Sequence, residues 1–156
     1  MSIDLLDARL IAKLRELPRA GLVEVARQLG VARGTVQARL GKLEARGVIT
    51  GYGPEIDPAA MGYGIQAFVL LELAQGRLGE ATAVLEAAPE VIEADAISGP
   101  QDLLCRLAAR DTEHLQEVVN RLLATPAIRR STSYIVLSQQ VRPRTGPLVE
   151  QAGGAA

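Results

Sequence analysis

Hydrophobic residues recur every three or four positions through the first 46 residues, and this period predicts three helices. The first is capped by Asp4 and stopped by Pro18. The second carries its apolar stripe from Leu22 to Leu29 and ends at Gly30, and the third runs from about residue 32 to residue 46. Two short helices joined by a glycine-containing turn are the sequence form of a helix-turn-helix.

The outward face of the predicted third helix combines small residues with hydrogen-bonding side chains. Gly34, Ala38 and Gly41 let the helix axis approach another surface closely. Threonine and glutamine can bond base edges, and arginine or lysine can reach phosphates or guanine. The candidate DNA contacts are Arg33, Thr35, Gln37, Arg39 and Lys42. The alternatives are a solvated helix in an ordinary bundle and, for Arg39, a phosphate contact or a structural ion pair.

The second half of the chain alternates strand-like and helix-like stretches. Strands are predicted at 64–73, 91–98, 102–109 and 131–139, with helices at 77–88 and from about 112 to Pro126. The order βαββαβ is the ferredoxin-like split arrangement, so the fold class is α+β. Helices on one face leave the other partly apolar, through Phe68 and Leu70 or through Ile135 and Leu137 depending on register. An exposed apolar face of this kind usually has a partner.

These elements predict two domains. Residues 1–51 form a helix-turn-helix domain that is winged-helix-like, because Gly47–Tyr52 favours a short strand or wing. A linker with two prolines follows at 52–62, and the ferredoxin-like domain spans 63–141. Residues 142–156 are rich in proline, glycine and alanine and are expected to be a flexible tail.

Composition narrows the setting of the protein. The 156 residues are 48% hydrophobic with one Phe and no Trp, so the cores must be aliphatic. A single cysteine excludes an internal disulfide and favours a reducing compartment. No apolar run is long enough for a membrane span, and the acidic amphipathic start is unlike a signal peptide, so a cytoplasmic protein without membrane contact is expected.

Charge is unevenly distributed along the chain. Residues 1–50 hold nine Lys/Arg and five Asp/Glu, a balance of +4, whereas residues 51–156 hold eight and thirteen, a balance of −5. A basic first module on an acidic remainder is typical of a nucleic-acid reader joined to a second function.

Residues with catalytic or metal-binding chemistry are scarce. His114 is the single histidine, and a lone surface histidine without a Cys or His partner is a poor metal ligand. Cys105 lies in an apolar strand and is assigned to the core. No phosphate loop, nucleophile elbow or paired carboxylates appear, so we expect no catalytic residues, no metal and no cofactor.

In this combination the motifs resemble the Lrp/AsnC family, the leucine-responsive or feast/famine regulators of bacteria and archaea. The resemblance rests on LDARLIAKL at 6–14, VARQLGVARGTVQARLGKLEARGVITGY at 25–52, GPQDLL at 99–104 and STSYIVL at 131–137. It implies a transcriptional regulator that binds double-stranded DNA and senses an amino acid or related metabolite. It also implies a homodimer built through the sheet that assembles into tetramers or octamers. One departure is Ala32, where relatives often have a capping serine.

The resemblance also implies an effector site. Gly99 and Asp102 match the Gly-x-x-Asp of the family's effector loop, where a carboxylate could hold the ammonium of an amino acid. Ser98, Gln101 and Thr132 are secondary candidates for the same cleft. The alternative role for Asp102 is an ordinary turn cap.

Two other functions compete with a regulator. Proteins of this layout include enzymes that decarboxylate tetrapyrroles, but those need basic residues and histidines where this chain is acidic, so an enzyme is not expected. A co-regulator that binds relatives without binding DNA is the other alternative, because the third helix has few long side chains.

Overall fold

A computed structural model describes residues 3–154, which cluster into two compact units. The helical unit comprises the chain up to Pro54 together with the segment from Val141 onward. The sheet unit comprises Glu55–Gln140. Within the described residues, no helix is long and apolar enough to cross a membrane.

The helical unit contains the three expected helices: α1 (Leu5–Glu16), α2 (Leu22–Leu29) and α3 (Arg33–Ala45). Asp4 and Asp7 form a capping box at the start of α1, in which each carboxylate accepts the backbone N–H of the other residue, at 2.8 and 3.2 Å. Gly30 ends α2 with a φ of 69°, a conformation that glycine adopts without steric penalty. The shared core is aliphatic and includes Leu10, Val25, Val36 and Leu43.

The segment after α3 does not form the expected wing. Gly47 has a φ of 67°, and the N–H of Val48 donates to the Leu43 carbonyl at 2.9 Å, which closes the helix end. Ile49 then packs against the helical core, and no strand forms before the short 3-10 helix at Ala59–Met61. The β-branched residues therefore serve a helix cap and a core contact, and the winged-helix-like expectation is wrong.

The expected flexible tail is also wrong for most of its length. Gly146–Gly154 forms a helix, α6, which packs on α1 with Val149 against the helical core. The Arg15 guanidinium donates to the Thr145 hydroxyl at 3.2 Å. Small residues, which suggested disorder from composition, instead permit close helix packing. Residues 155 and 156 of the predicted tail lie outside the described residues.

The sheet unit confirms the βαββαβ order. Its elements are β1 (Ile65–Leu73), α4 (Leu78–Glu86), β2 (Val91–Ala96), β3 (Leu103–Ala109), α5 (Thr112–Leu123) and β4 (Ile128–Ile135). The strands form one antiparallel sheet in the order β2-β3-β1-β4. The helices cover one face, where alternate residues such as Val69, Leu71, Cys105 and Leu107 are fully buried with Val118 of α5. Burial along β1 alternates, as expected for a strand covered by helices on one face.

Two details of the sheet unit differ from the sequence prediction. β4 begins at Ile128 and ends at Ile135, because Ala127 and Ile128 are already buried in the core where the chain returns from α5. α4 spans Leu78–Glu86, which is shorter than the predicted 77–88. The register resolves the open alternative: Phe68 and Leu70 lie on the uncovered face, and Ile135 lies on the helix-covered face opposite Ala67.

Candidate nucleic-acid interface and effector loop

The outer face of α3 is presented to solvent. Arg33, Thr35, Gln37 and Lys42 are all exposed. Ala32 occupies the N-cap position and makes no side-chain hydrogen bond. The helix nevertheless begins at Arg33, although the capping serine of relatives is missing. All four predicted contacts are therefore accessible to a partner.

The backbone of α3 is unusually accessible on the same face. Gly34, Ala38 and Gly41 are exposed, and nothing lies within 4 Å of a Cβ added at either glycine. A surface with little side-chain bulk can lie close to a duplex, and α-helices fit the major groove. The structure thus leaves open space over α3 at these positions.

Arg39 differs from the other candidates. Its Nη1 atom lies 2.6 Å from Oδ2 of Asp4 and 2.8 Å from Oδ1 of Asp7, at the start of α1. The hydrogen bond from Arg39, together with the backbone N–H of Asp7, lowers the pKa of Asp4 below its usual value. The side chain is engaged in the structural ion pairs that were one of the two roles considered for it. The sequence identified Asp4 only as the cap of the first helix.

Four of the five effector candidates lie in the β2–β3 loop (residues 97–102). Gly99 has a φ of 148°, in the region that favours glycine, and Ser98 is exposed while Gln101 is half-buried. Asp102 anchors the loop to β1: its N–H donates to the Leu71 carbonyl at 2.9 Å, and its Oδ2 accepts the Leu73 N–H at 2.7 Å. The carboxylate therefore anchors the loop to β1 instead of capping the turn in which it lies.

The fifth effector candidate, Thr132, lies elsewhere in the sheet. Thr132 is on β4 and pairs with Leu70 of β1, so β1 separates it from β3 and from the β2–β3 loop. Within this chain the structure brings Ser98, Gly99, Gln101 and Asp102 together but leaves Thr132 apart.

The uncovered side of the sheet carries a row of aromatic, aliphatic and charged residues, in which the predicted Phe68 and Leu70 are joined by residues of β3 and β4. We define the open sheet face by six residues: Phe68, Leu70, Leu104, Arg106, Thr132 and Tyr134. Arg106 lies over the Phe68 ring, 5.3 Å from its centroid, and its Nε is 3.7 Å from Glu93. That Nε is buried and has no hydrogen-bond partner among the described residues. Cross-strand pairing, which sets this row, is not readable from the sequence alone.

His114 and Cys105 are buried side chains of the sheet unit. His114 is 6% exposed, which corrects the expectation of a surface residue. Its Nδ1 accepts the Arg110 N–H at 3.1 Å, so Nε2 carries the proton and donates to Glu90 at 3.2 Å. Burial, with Asp95 nearby, raises the pKa of the Cys105 thiol to about 11, so the thiol stays protonated in the core. The described residues contain no group of three side chains suited to a metal.

Helix α3, which we call the reading helix, is exposed on a small helical bundle, and a separate α+β unit follows. This arrangement is that of a two-part DNA-binding regulator. The AsnC-type helix-turn-helix domain matches residues 3–44, and the Lrp/AsnC ligand-binding domain matches residues 66–145. The chain belongs to the Lrp/AsnC family of transcriptional regulators, as its motifs suggested. The curated relatives that it matches are named as transcriptional regulators.

Individual relatives agree over almost the whole chain. The regulatory protein AsnC of Escherichia coli K12 is 30% identical over 141 residues, which cover 89% of this chain and 93% of that protein. The solved structure of Escherichia coli AsnC has a TM-score of 0.85 at 28% identity and covers 94% of this chain and 100% of that chain. The leucine response regulatory protein LrpA of Mycobacterium tuberculosis has a TM-score of 0.76 at 29% identity, over 91% of this chain and 97% of that chain.

Proposed function

We propose that this regulator reads DNA through Arg33, Thr35, Gln37 and Lys42, and senses an amino acid at the β2–β3 loop. Two copies pair through their open sheet faces, and the dimers assemble further into tetramers or octamers. Effector binding changes how dimers associate, and so how many reading helices engage DNA together.

The exposed face of α3 carries the DNA-binding part of the proposal. Arg33 and Lys42 offer cations to phosphate or guanine, and Thr35 and Gln37 offer hydrogen bonds to base edges. The uncrowded glycines between them allow the helix to approach the groove.

The chemistry of the β2–β3 loop supports an amino-acid effector. One oxygen of Asp102 is engaged by the Leu73 N–H, but a carboxylate has two oxygens and about four acceptor positions. The second oxygen can therefore hold an ammonium group, while backbone N–H groups around Gly99 bind the effector's carboxylate. The Mycobacterium tuberculosis relative is called a leucine response regulatory protein, which favours the same ligand class.

The open sheet face supports pairing of two copies. Phe68 and Tyr134 stand side by side across β1 and β4, and Tyr134 is 56% exposed. An aromatic and aliphatic face of this kind is typical of a homodimer core. A two-fold dimer presents two reading helices to a pseudo-palindromic site.

The first experiment is a titration of a DNA duplex selected by the protein from a random pool. It is run at two salt concentrations, with and without a pool of the twenty amino acids. We expect salt-sensitive binding that survives competitor DNA and changes with one amino acid. Failure to select any duplex would contradict DNA reading, and binding indifferent to every amino acid would contradict the effector class.

A second experiment assigns the effector site to Asp102. Asp102→Asn keeps an oxygen that accepts the Leu73 N–H but removes the charge, so we expect a folded protein that binds DNA and no longer responds to the amino acid. Asp95→Asn, which alters a carboxylate outside the loop, is the matched control and keeps its response. A full response in Asp102→Asn would leave Asp102 as a loop anchor only.

A further inference from the structure

Arg39 joins the reading helix to the first helix of the same unit through charged contacts. Its guanidinium meets Asp4 at 2.6 Å and Asp7 at 2.8 Å. The Asp7 side chain is only 12% exposed and that of Arg39 only 31%, so the pair between them is partly shielded from water. Both carboxylates are themselves fixed, because they form the capping box of α1.

We propose that Arg39 is a positioning residue, which holds α3 at a fixed rotation on α1 and does not itself contact DNA. The proposal rests on the proposed DNA contacts, since it concerns how they are aimed. It assigns Asp4 and Asp7 a second role besides capping.

The position of Arg39 on α3 explains why rotation matters. Thr35 and Lys42 are four residues before it and three after it, so both are its immediate neighbours on the helix surface. They line the same groove as Asp4, Asp7 and Arg39. A small rotation of α3 would therefore displace two proposed contacts at once.

The buried apolar contacts of α3 lie on one side of the helix. Val36 and Leu43 bury one side of α3, but hydrophobic contact is non-directional. A guanidinium that bonds two carboxylates has a defined direction, which apolar contacts lack.

The two carboxylates that contact Arg39 disfavour a phosphate contact by this side chain. Lys42 and Arg46 also line the groove, but a phosphate placed on Arg39 itself would lie beside Asp4 and Asp7, which Arg39 already contacts at 2.6 and 2.8 Å. Like charges at such distances repel. The competing possibility is that Arg39 leaves the carboxylates for a phosphate when DNA binds, and the experiment below separates the two.

The test compares Arg39→Gln with Lys42→Gln, two cation removals one turn apart on α3. Binding to the selected duplex and to a scrambled duplex of equal composition is measured across a salt series. For Arg39→Gln we expect the specific-to-scrambled affinity ratio to fall roughly tenfold, similar to one mismatched base pair, with the salt slope on scrambled DNA unchanged. For Lys42→Gln we expect affinity for both duplexes to fall and the slope to decrease by about 0.9.

The acidic partners provide an independent arm. In Asp4→Asn/Asp7→Asn both helix caps are retained, because asparagine also caps, but the ion pairs to Arg39 are lost. We expect the same fall in the affinity ratio, and no further fall when Arg39→Gln is added. A reduced slope in Arg39→Gln, or an unchanged ratio in either variant, would overturn the proposal.

Failure of the wider function would look different. If the wild-type protein selected no duplex, the proposed DNA reading would fail. A double-mutant cycle between Arg39 and the pair Asp4 and Asp7, measured by chemical unfolding, would still decide whether these ion pairs hold α3 on α1. Additive effects in that cycle would overturn the proposal regardless of DNA.

Discussion

Gly153 allows α6 to pack closely against α1 because it has no side chain. A Cβ built at this position would lie 2.3 Å from the Cβ of Ala8 and 3.2 Å from the Asp4 carbonyl oxygen. Gly153→Ala should therefore separate α6 from α1 and lower the free energy of unfolding by about 1–3 kcal/mol, the usual penalty for overpacking. Gly154→Ala is the control, since nothing lies within 4 Å of its added Cβ. Equal unfolding midpoints in urea for the two variants would contradict this packing.

Glu90 gives the sheet unit a defined response to acid. Burial raises the pKa of its carboxyl, but the hydrogen bond from Arg121 at 2.7 Å, with a smaller contribution from His114, outweighs burial and lowers the pKa below 4.5. A lowered folded-state pKa means that the ionised group stabilises the fold above about pH 4.5 and that this stability is lost as pH falls through the folded value.

Replacing Glu90 tests that linkage. Glu90→Gln should reduce the free energy of unfolding at pH 7 by about 1–3 kcal/mol, because a buried charged partner of Arg121 and His114 is removed. The loss of stability between pH 6 and pH 3 should also become shallower than in the wild type. Urea unfolding across that range measures both effects, and Glu86→Gln, an exposed carboxylate of α4, is the comparison. A parallel pH curve in Glu90→Gln would exclude the linkage.

The glycines of α3 lower the stability of the helix and leave its outer surface with few side-chain atoms. Glycine inside a helix is about 1 kcal/mol less favourable than alanine, so Gly41→Ala should raise the free energy of unfolding by about 0.5–1 kcal/mol. If the backbone of α3 approaches DNA closely, the same change should weaken binding. Gly79→Ala in α4 alters a helical glycine with equally open surroundings and should leave DNA affinity unchanged. Tighter or unchanged binding by Gly41→Ala would show that DNA keeps its distance from this position.

Periodicity was sufficient to predict the regular elements of both units. Helices α1 to α5 and all four strands were predicted within a few residues, since each buries one face and so repeats its apolar residues at a fixed spacing. The failures have a common cause. The segment after Gly47 and the helix α6 are shaped by contacts with distant or shared cores, and those contacts leave no local period.

The site was less predictable than the fold. Exposure of Arg33, Thr35, Gln37 and Lys42 follows from helix geometry, which the sequence supplies. The ion pairs of Arg39 join it to Asp4 and Asp7, which lie 35 and 32 positions earlier in the chain. The separation of Thr132 from the β2–β3 loop depends on strand order. Neither distance is encoded in a local motif.

The proposed dimer makes a prediction for the whole assembly. Leu70 lies near the middle of the open sheet face, between Leu104 and Thr132, so Leu70→Glu places a charge in the proposed interface. We expect a monomer in analytical ultracentrifugation and a loss of avidity for a two-site duplex of about a hundredfold or more. Leu148→Glu, an exposed leucine of α6, should remain a dimer. Dimers of Leu70→Glu would move the interface elsewhere.

The return of α6 to the helical unit has a consequence for biosynthesis. The chain leaves that unit near Pro54, builds the whole sheet unit, and re-enters at Val141. A ribosome therefore releases α1, α2 and α3 long before the helix that covers α1. During that interval the nascent DNA-reading bundle has an uncovered apolar flank, and its completion requires synthesis of the intervening 86 residues of the sheet unit. The helical unit is completed only after the sheet unit has been translated. A chain that terminates before α6 therefore carries an incompletely packed helical unit.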